Sequence, residues 1–345
     1  MPELLQIAPL ANGDSVAHRI TSLPVLVLNV HSRCNCRCLM CDIWKTTETR
    51  ELSVTDLERQ LDSIRHLGVR WVVLTGGEPL LHSRLDRLVS IIREENIRIT
   101  LLTTGLLLKR HAPMVASNFN DVIISLDGPP EIHDRIRRVP NAFASLREGI
   151  VALRAHNPLI EIGLRMTVQS ANHTHLRTAV EIAKDLRASW ISFLAADLTS
   201  SAFNREVPWS EDHRSEIGLT REETKELEEE VDPLIRDYEK EIASGFIRED
   251  ARKLRRLVSH FRAALGLERP VSPICNAPWV SAVIETDGNV RPCFFHRSVG
   301  TLRHASLAEV INGDAALQFR SELDIESNPT CQNCVCSLNF PHHAA

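Results

Sequence analysis

Short apolar runs alternate with amphipathic stretches over the first half of the chain. Between the runs, apolar residues recur at helical spacing, as Leu57, Leu61 and Ile64 do. A strand followed by a helix, repeated six times, predicts a parallel sheet with helices outside it. Six units are too few for a closed eight-stranded barrel, so an open partial barrel and a doubly wound sheet both remain. The predicted strands are Val25–Val30, Trp71–Thr75, Ile97–Thr103, Val122–Leu126, Ile160–Val168 and Trp190–Leu194.

The pattern changes after Leu198. Thr220 and Glu223 have the spacing of a capping box in front of an apolar helical stripe, and a second helical stripe stops near Gly266. Pro233 lies inside the first stripe and predicts a kink or break there. We therefore expect an N-terminal extension over 1–20, a core over 21–198, a helical connector over 199–270 and a small C-terminal module of strands and turns over 271–340.

The composition is that of an ordinary globular protein. Of 345 residues, 43% are hydrophobic and 25% are charged, which excludes disordered and collagen-like chains. The formal net charge of −5 gives no basic field for nucleic acid or anionic lipid. No apolar run approaches the roughly 20 residues of a membrane span, and the first residues lack the features of a signal peptide. We expect a cytoplasmic protein without nucleic-acid or membrane partners.

The nine cysteines fall into two groups. Four lie between Cys34 and Cys41, and five lie between Cys275 and Cys336. An odd number in a cytoplasmic chain argues against a disulfide framework and favours metal or redox chemistry. Small buried cysteines scattered through a core would not cluster in this way.

Three cysteines of the first group have the spacing C-x3-C-x2-C directly after the first predicted strand. Thiolates of Cys34, Cys38 and Cys41 on one tight loop can hold three irons of a [4Fe–4S] cluster and leave the fourth iron open to a ligand. A structural zinc site is the alternative. Zinc prefers four protein ligands in such sites, and His31 could supply the fourth.

A second motif, Gly76-Gly77-Glu78-Pro79, stands at the end of the second predicted strand. Glycines there let the backbone approach a ligand closely, and Glu78 offers an acceptor for an ammonium group. Together with the cysteine triplet, this motif resembles the radical S-adenosylmethionine (SAM) enzymes, in which it holds the amino group of SAM. The resemblance implies an α/β fold with a partial (β/α)6 TIM-type barrel.

The resemblance also implies a chemistry and further contacts. SAM bound at the open iron would be cleaved reductively to methionine and a 5′-deoxyadenosyl radical, with an external one-electron donor such as flavodoxin or ferredoxin. Ser125, which ends the fourth strand, matches a position that often contacts SAM. Arg165 on the fifth strand could pair with the SAM carboxylate. Met40 departs from the family, which commonly has an aromatic residue before the third cysteine.

The second cysteine group is similar to the C-terminal module called SPASM, or twitch in its shorter form. Cys275 is followed by twelve residues, Gly288, four residues and Cys293, and the later pair is Cys331 and Cys334. These four thiolates would fill all four irons of one auxiliary [4Fe–4S] cluster. The further cysteines of the full SPASM form are absent in its spacing. A four-cysteine zinc ribbon is the alternative.

Two cysteines are left over, Cys36 and Cys336. One of them could donate a hydrogen atom to a substrate radical, or both could be spectators or substitute ligands. Glu285, Asp287 and His296 in the module are candidate general bases, with a surface position as the alternative.

The expected function is hydrogen abstraction from a polar small molecule such as a sugar, nucleoside or cyclitol derivative, leading to dehydrogenation, epimerisation or decarboxylation. Only about twenty residues precede the first strand, fewer than a peptide-recognition domain needs, so maturation of a ribosomally made peptide is the second expectation. A non-catalytic zinc-binding scaffold is a remote third.

Overall fold

Nine strands form one sheet in the computed structural model, which describes residues 18–340 except 206 and 208. Their spatial order is β6-β5-β4-β3-β2-β1-β7-β8-β9. The first six strands are parallel and lie side by side in chain order. The strands are β1 (Val25–His31), β2 (Trp71–Gly76), β3 (Arg98–Thr103), β4 (Asp121–Ser125), β5 (Glu161–Val168), β6 (Trp190–Ala195), β7 (Ser281–Ile284), β8 (Asn289–Arg291) and β9 (Gly300–Thr301).

This strand order decides between the two folds that the sequence left open. A doubly wound sheet reverses its strand order at a switch point, and the six parallel strands have no such reversal. The expected partial (β/α)6 barrel is therefore confirmed. Its helices are α1 (Val54–His66), α2 (Leu85–Glu94), α3 (Leu108–Asn118), α4 (Pro130–Arg137), α5 (Ala142–His156) and α6 (Leu176–Asp185), with short 3-10 helices at Ile43–Lys45 and Pro79–Leu81.

The two faces of the barrel sheet differ in burial. On the face that the helices cover, Leu28, Leu74 and Leu101 are completely buried. On the concave face, Val27, Val73 and other alternate residues stay partly exposed. Parallel sheets are usually buried on both faces, so the concave face has room for a ligand. It also carries the predicted site residues Ser125 and Arg165.

The connector shows no break at Pro233, one of the two outcomes expected there. Its helices are α7 (Glu211–Ile217), α8 (Arg221–Asp237), α9 (Glu239–Ala243) and α10 (Ala251–Ala264). The Thr220–Glu223 capping box starts α8 as predicted, but α8 continues past Pro233 to Asp237. A residue other than proline at position 233 would donate its N–H to the carbonyl of Glu229. Glu229 is an exposed residue. Water can therefore solvate this carbonyl, and the apolar face packs against α10 without a break.

The C-terminal module continues the sheet of the barrel. Its first strand, β7, pairs in parallel with β1, and β8 and β9 follow as antiparallel strands. Its helices are α11 (Ala277–Val280), α12 (Leu307–Ile311), α13 (Asp314–Glu322) and α14 (Pro329–Gln332). Among the described residues, no helix is long and apolar enough to cross a bilayer. The predicted N-terminal extension lies outside the described residues up to position 17.

Candidate active site

The first cysteine group lies on the loop that follows β1, and the C-terminus of α4 anchors this loop. The backbone N–H groups of Arg37 and Leu39 donate to the carbonyls of Arg137 and Ile136, both at 3.1 Å. Helix α4 ends there because Arg138 adopts a left-handed conformation. The last carbonyls of α4, which have no partner within the helix, thus fix the cysteine loop.

The thiols of this loop lie close enough to affect one another. Burial, followed by the charges on Cys38 and Cys34, raises the pKa of the Cys41 thiol to about 12. The pKa of Cys38 falls to about 7, chiefly through a hydrogen bond from Cys36 and with help from Arg137. Three thiols on one short loop beside buried guanidinium groups suit a [4Fe–4S] cluster, which needs thiolates and supplies the iron charge that offsets them.

Cys36 faces its neighbours on the loop. Its side chain is 1% exposed. Hydrogen bonds to Cys34 and Cys38, followed by burial, raise its pKa far above that of an ordinary thiol. The thiol therefore stays protonated inside the loop, away from the cavities described below.

Two buried arginines hold the cysteine loop, and the sequence motifs indicated neither of them. Arg137 donates from Nη1 to Cys38 Sγ at 3.4 Å and from Nε to Asp127 Oδ2 at 2.6 Å.

Arg205 donates to the Met40 carbonyl at 3.2 Å and to Asp197 at 2.7 Å. Its guanidinium lies 3.6 Å from the ring centroid of Trp209, and Trp209 Nε1 donates to Asp42 at 2.7 Å. The third cysteine is thus flanked by a loop from the far end of the barrel.

The glycines of the second motif allow β2 to approach the cysteine loop. The N–H of Gly77 donates to the His31 carbonyl at 2.7 Å, and that of Glu78 donates to the Arg33 carbonyl at 2.9 Å. A Cβ atom on Gly77 would lie 2.0 Å from the Arg33 oxygen. Gly76 has φ of +126°, which glycine adopts without strain. These glycines therefore position the loop in addition to their predicted contact with SAM.

The Glu78 side chain is committed to the protein. It is completely buried, and its carboxylate accepts from the Leu80 and Thr104 N–H groups and from the Thr103 and Thr104 hydroxyls at 2.8–3.0 Å. Burial raises its pKa, and these donors oppose that effect. The expected role of this carboxylate as an ammonium acceptor has no support in the geometry. Pro79 begins the adjoining 3-10 helix.

Ser125 and Arg165 are direct neighbours across β4 and β5, on the concave face of the barrel. Arg165 donates from Nε to Ser192 Oγ on β6 at 3.1 Å. It also lines a cavity of about 130 Å³ together with Glu249 and the exposed Cys336. Burial raises the pKa of Glu249 to about 7. Of the two leftover cysteines, only Cys336 thus faces a cavity that also contains a predicted site residue.

A larger cavity, of about 550 Å³, opens at the carboxyl ends of β1, β2 and β7. Asn29 donates from Nδ2 to Glu285 Oε2 at 2.5 Å, and Arg291 forms an ion pair with Glu285 Oε1 at 2.8 Å. Asn29 is 7% exposed, yet its Oδ1 has no hydrogen-bond partner among the described residues. Other residues that line this cavity are Lys45, Glu48, Arg50, Gly76, Gly77, Phe203, Asp287 and Phe294.

Two of the three candidate general bases hold the module together. Asp287 accepts from the backbone N–H of Asn289 at 3.0 Å and from its side chain at 2.7 Å, which fixes the turn before β8. His296 lies 3.4 Å from Cys331 Sγ, and burial lowers its pKa. Glu285 is the one whose carboxylate meets Asn29 inside the larger cavity.

Four cysteines of the second group line one small cavity. Cys275, Cys293, Cys331 and Cys334 surround it with Pro273, Pro278, Phe295 and Ile325. Burial raises the pKa of Cys293 to about 11, and burial with the neighbouring thiols raises that of Cys331 to about 12. An all-thiolate donor set in an apolar cavity fits a fully ligated [4Fe–4S] cluster.

An all-thiolate donor set would also suit the four-cysteine zinc ribbon that the sequence left open. His31 is turned to its own loop, since its Nδ1 accepts from the Arg33 N–H at 3.0 Å. All nine cysteines are free thiols, as expected.

Comparison with known families agrees with both cysteine sites. Residues 28–168 match the family model of the radical SAM superfamily. The chain belongs to the radical SAM superfamily. Residues 275–335 match the SPASM iron–sulfur cluster-binding domain. Membership implies SAM and a [4Fe–4S] cluster for the barrel and auxiliary iron–sulfur for the module, which are the cofactors expected from the sequence.

The names of the sequence relatives of this chain refer to different biosynthetic routes. It is 27% identical over 217 residues to the Fe-coproporphyrin III synthase of Methanosarcina barkeri, covering 61% of this chain and 54% of that protein. It is 24% identical over 288 residues to the subtilosin biosynthesis protein AlbA of Bacillus subtilis, covering 81% and 57%. The chain thus spans about half the length of the curated relatives it matches.

Solved structures support the fold. SuiB of Streptococcus suis bound to SAM superposes with a TM-score of 0.64 at 14% identity, covering 93% of this chain and 74% of SuiB. The structure titled native anSMEcpe with bound AdoMet and a peptide superposes with a TM-score of 0.63 at 19% identity, covering 86% and 82%. At such identity the likeness concerns the fold alone.

Proposed function

We propose that this chain is a radical SAM enzyme that abstracts a hydrogen atom from a polar small molecule bound in the 550 Å³ cavity at the carboxyl ends of β1, β2 and β7. Cys34, Cys38 and Cys41 would hold the SAM cluster. When bound, this cluster and SAM supply the one-electron chemistry that removes the hydrogen atom. The electron would come from an external donor such as flavodoxin or ferredoxin.

The observation that carries the proposal is the unsatisfied oxygen of Asn29. A buried polar atom without a partner costs about 1–3 kcal/mol, and a ligand hydroxyl or ammonium group would remove that cost. Asn29 Nδ2 and Arg291 hold the adjacent Glu285 carboxylate in place as a second acceptor. Carboxylates and cations that line the same cavity favour a ligand with several polar groups, such as a sugar, nucleoside or cyclitol derivative.

The cofactor would occupy the concave face and reach into one side of this cavity. We assign the methionine part of SAM to the backbone of Gly76 and Gly77, which line the cavity. Ser125 and Arg165 lie on the same face, two and three strands further along. Arg165 keeps guanidinium N–H groups beyond its bond to Ser192, and these suit a carboxylate.

The reaction outcome depends on what happens to the substrate radical. An auxiliary cluster held by Cys275, Cys293, Cys331 and Cys334 would accept an electron and give dehydrogenation or decarboxylation. Return of a hydrogen atom from a cysteine would give an epimer; of the two leftover cysteines, Cys336 lines the Arg165 cavity and Cys36 is buried in the cysteine loop.

Peptide maturation is the second candidate. A relative of this chain is named for subtilosin biosynthesis, and SuiB has also been solved with its precursor peptide SuiA. Other relatives are named as haem and pre-haem d1 synthases, so a tetrapyrrole belongs among the test substrates. A non-catalytic zinc scaffold predicts zinc in place of iron.

The test is hydrogen transfer from labelled substrates. Anaerobically reconstituted protein should contain about eight irons per chain and form 5′-deoxyadenosine from SAM under reduction. Deuterated sugars, nucleosides, cyclitols, a coproporphyrin and short peptides are then compared for deuterium in 5′-deoxyadenosine. We expect transfer from a polar small molecule. Transfer from a peptide or tetrapyrrole alone would contradict the substrate class, and zinc without 5′-deoxyadenosine would contradict the enzyme.

Two variants localise the substrate. Asn29→Ala and Glu285→Gln should lower substrate conversion at least tenfold while leaving substrate-free 5′-deoxyadenosine formation within about twofold, because neither side chain belongs to the assigned SAM site. Glu131→Gln, on the exposed first turn of α4, is the matched control. Equal conversion by all three variants would place the substrate elsewhere.

A further inference from the structure

The SAM-cluster loop has a buried cation directly at one of its sulfurs. Arg137 is the last residue of α4, and its guanidinium reaches Cys38 Sγ from inside the protein. We propose that Arg137 is a positioning residue that raises the reduction potential of the cluster held by Cys34, Cys38 and Cys41. This inference rests on the assignment of those three cysteines as cluster ligands.

The direction of the Arg137 side chain is fixed from several sides. Its Nε donates to Asp127 Oδ2 at 2.6 Å. Asp127 is completely buried, its Oδ1 accepts from the Thr167 N–H at 3.3 Å, and its own N–H donates to His133 Nδ1 at 3.2 Å. The Arg137 carbonyl accepts from the Arg37 N–H on the cysteine loop. The guanidinium and the sulfur are therefore held together by both backbone and side-chain contacts.

This contact favours the reduced cluster. Reduction adds one negative charge, which spreads over the irons and the sulfur ligands, and hydrogen bonds to those sulfurs help to set the potential. An N–H group and a positive charge at Cys38 Sγ stabilise the more negative state. Water is excluded at this position, so the interaction is screened less than at the surface. Asp127 offsets part of the charge, but it binds Nε and not the Nη1 atom that meets the sulfur.

Arg205 supplies an internal comparison. It is also buried and also reaches the loop, but it donates to the Met40 carbonyl and to Asp197 and makes no hydrogen bond to a sulfur within the part of the chain that the structure describes. Its role by geometry is to fix the backbone before Cys41. The two arginines thus separate two effects, since only Arg137 adds a hydrogen bond to a cluster ligand.

The experiment is a redox titration followed by electron paramagnetic resonance on the holoenzyme with both clusters. The SAM-cluster signal is recognised because it changes when SAM is added, and the auxiliary cluster is the reference in the same sample. We expect Arg137→Met to shift the SAM-cluster midpoint to a more negative value, with the auxiliary midpoint unchanged. Arg137→Lys, which keeps the charge, should recover part of the shift. Arg135→Met, on the same helix but exposed, should move neither midpoint.

The outcomes separate this inference from the proposed function. An Arg137→Met protein with full iron and a wild-type midpoint overturns it. If that variant loses the SAM cluster, Arg137→Gln and Arg137→Lys decide, and a wild-type midpoint in both overturns it too. A wild-type protein that forms no 5′-deoxyadenosine contradicts the proposed function and leaves the measured midpoints to judge Arg137.

Discussion

Gly77 is the residue at which the second motif and the cysteine loop meet most closely. A methyl group there would lie 2.0 Å from the backbone oxygen of Arg33, a distance that no rotation of a side chain can relieve. The two N–H···O bonds from Gly77 and Glu78 to the loop depend on this approach. The motif thus shapes the cluster site before any cofactor binds.

We expect Gly77→Ala to remove the SAM cluster and keep the auxiliary one. Iron should fall from about eight to about four per chain, because the cysteine loop must move while the second cysteine group is untouched. Gly266→Asn is the control, since its added Cβ meets no atom within 4 Å and asparagine tolerates the left-handed φ of +69° there. Iron counts and the SAM-sensitive resonance signal measure the result. Full iron in Gly77→Ala would show that the loop tolerates the displacement.

His133 gives a pH dependence at the same scale. It is completely buried, and burial lowers its pKa to about 4, against about 6.5 in the unfolded chain. Below pH 6.5 the unfolded chain takes up a proton that the folded chain does not. The free energy of unfolding should therefore fall as the pH drops from about 7 toward 4, by on the order of 3 kcal/mol from this group.

Replacing the imidazole tests that contribution. His133→Asn keeps an acceptor for the Asp127 N–H but cannot titrate, so its unfolding free energy should depend less on pH than that of the wild type. Denaturant unfolding at pH 7.5, 6.5 and 5.5 measures the difference between the two proteins. Parallel pH curves would exclude His133 as the titrating group.

At the scale of elements, local patterns in the sequence predicted much of the fold. All six barrel strands and the Thr220–Glu223 cap form where apolar spacing and capping placed them. Local signals failed where long-range packing decides. Pro233 lies inside α8 without ending it. Arg137 on α4 is of a residue type that is usually exposed, yet it is buried against Cys38.

The candidate site also combines features that local sequence patterns predict with features that only the folded chain creates. Cysteine spacing indicated the SAM cluster, because Cys34, Cys38 and Cys41 lie on one short loop, whereas the auxiliary cluster was indicated by the resemblance to SPASM. The cavity that Asn29 and Glu285 line forms only when β1 pairs with β7, and no local sequence pattern predicts this pairing. Arg205 reaches Met40 from a loop that follows the sixth strand, and only the folded barrel brings these two segments together.

Loss of the auxiliary cluster, which the C-terminal module would hold, should leave the cleavage of SAM intact. Cys331→Ala removes one of four thiolates, so iron should fall to about four per chain. Substrate-free 5′-deoxyadenosine formation should persist, because the SAM-cluster loop belongs to other elements. Product formation should be lost. Cys336→Ala is the matched control and should keep about eight irons, and loss of cluster from that variant instead would make Cys336 the fourth ligand.

For the whole molecule, the parallel pairing of β1 with β7 sets the order of assembly. The partner of Val27 on one side is Val73, but on the other side it is Val283, 256 residues later. At a synthesis rate of about 5–20 residues per second, β1 waits roughly 13–50 s for that strand. Until then β1 presents an open edge, the kind of surface through which chains associate wrongly. The strand that lines the proposed substrate cavity therefore also covers the edge of β1, which stays open to association until shortly before the last cysteines are made.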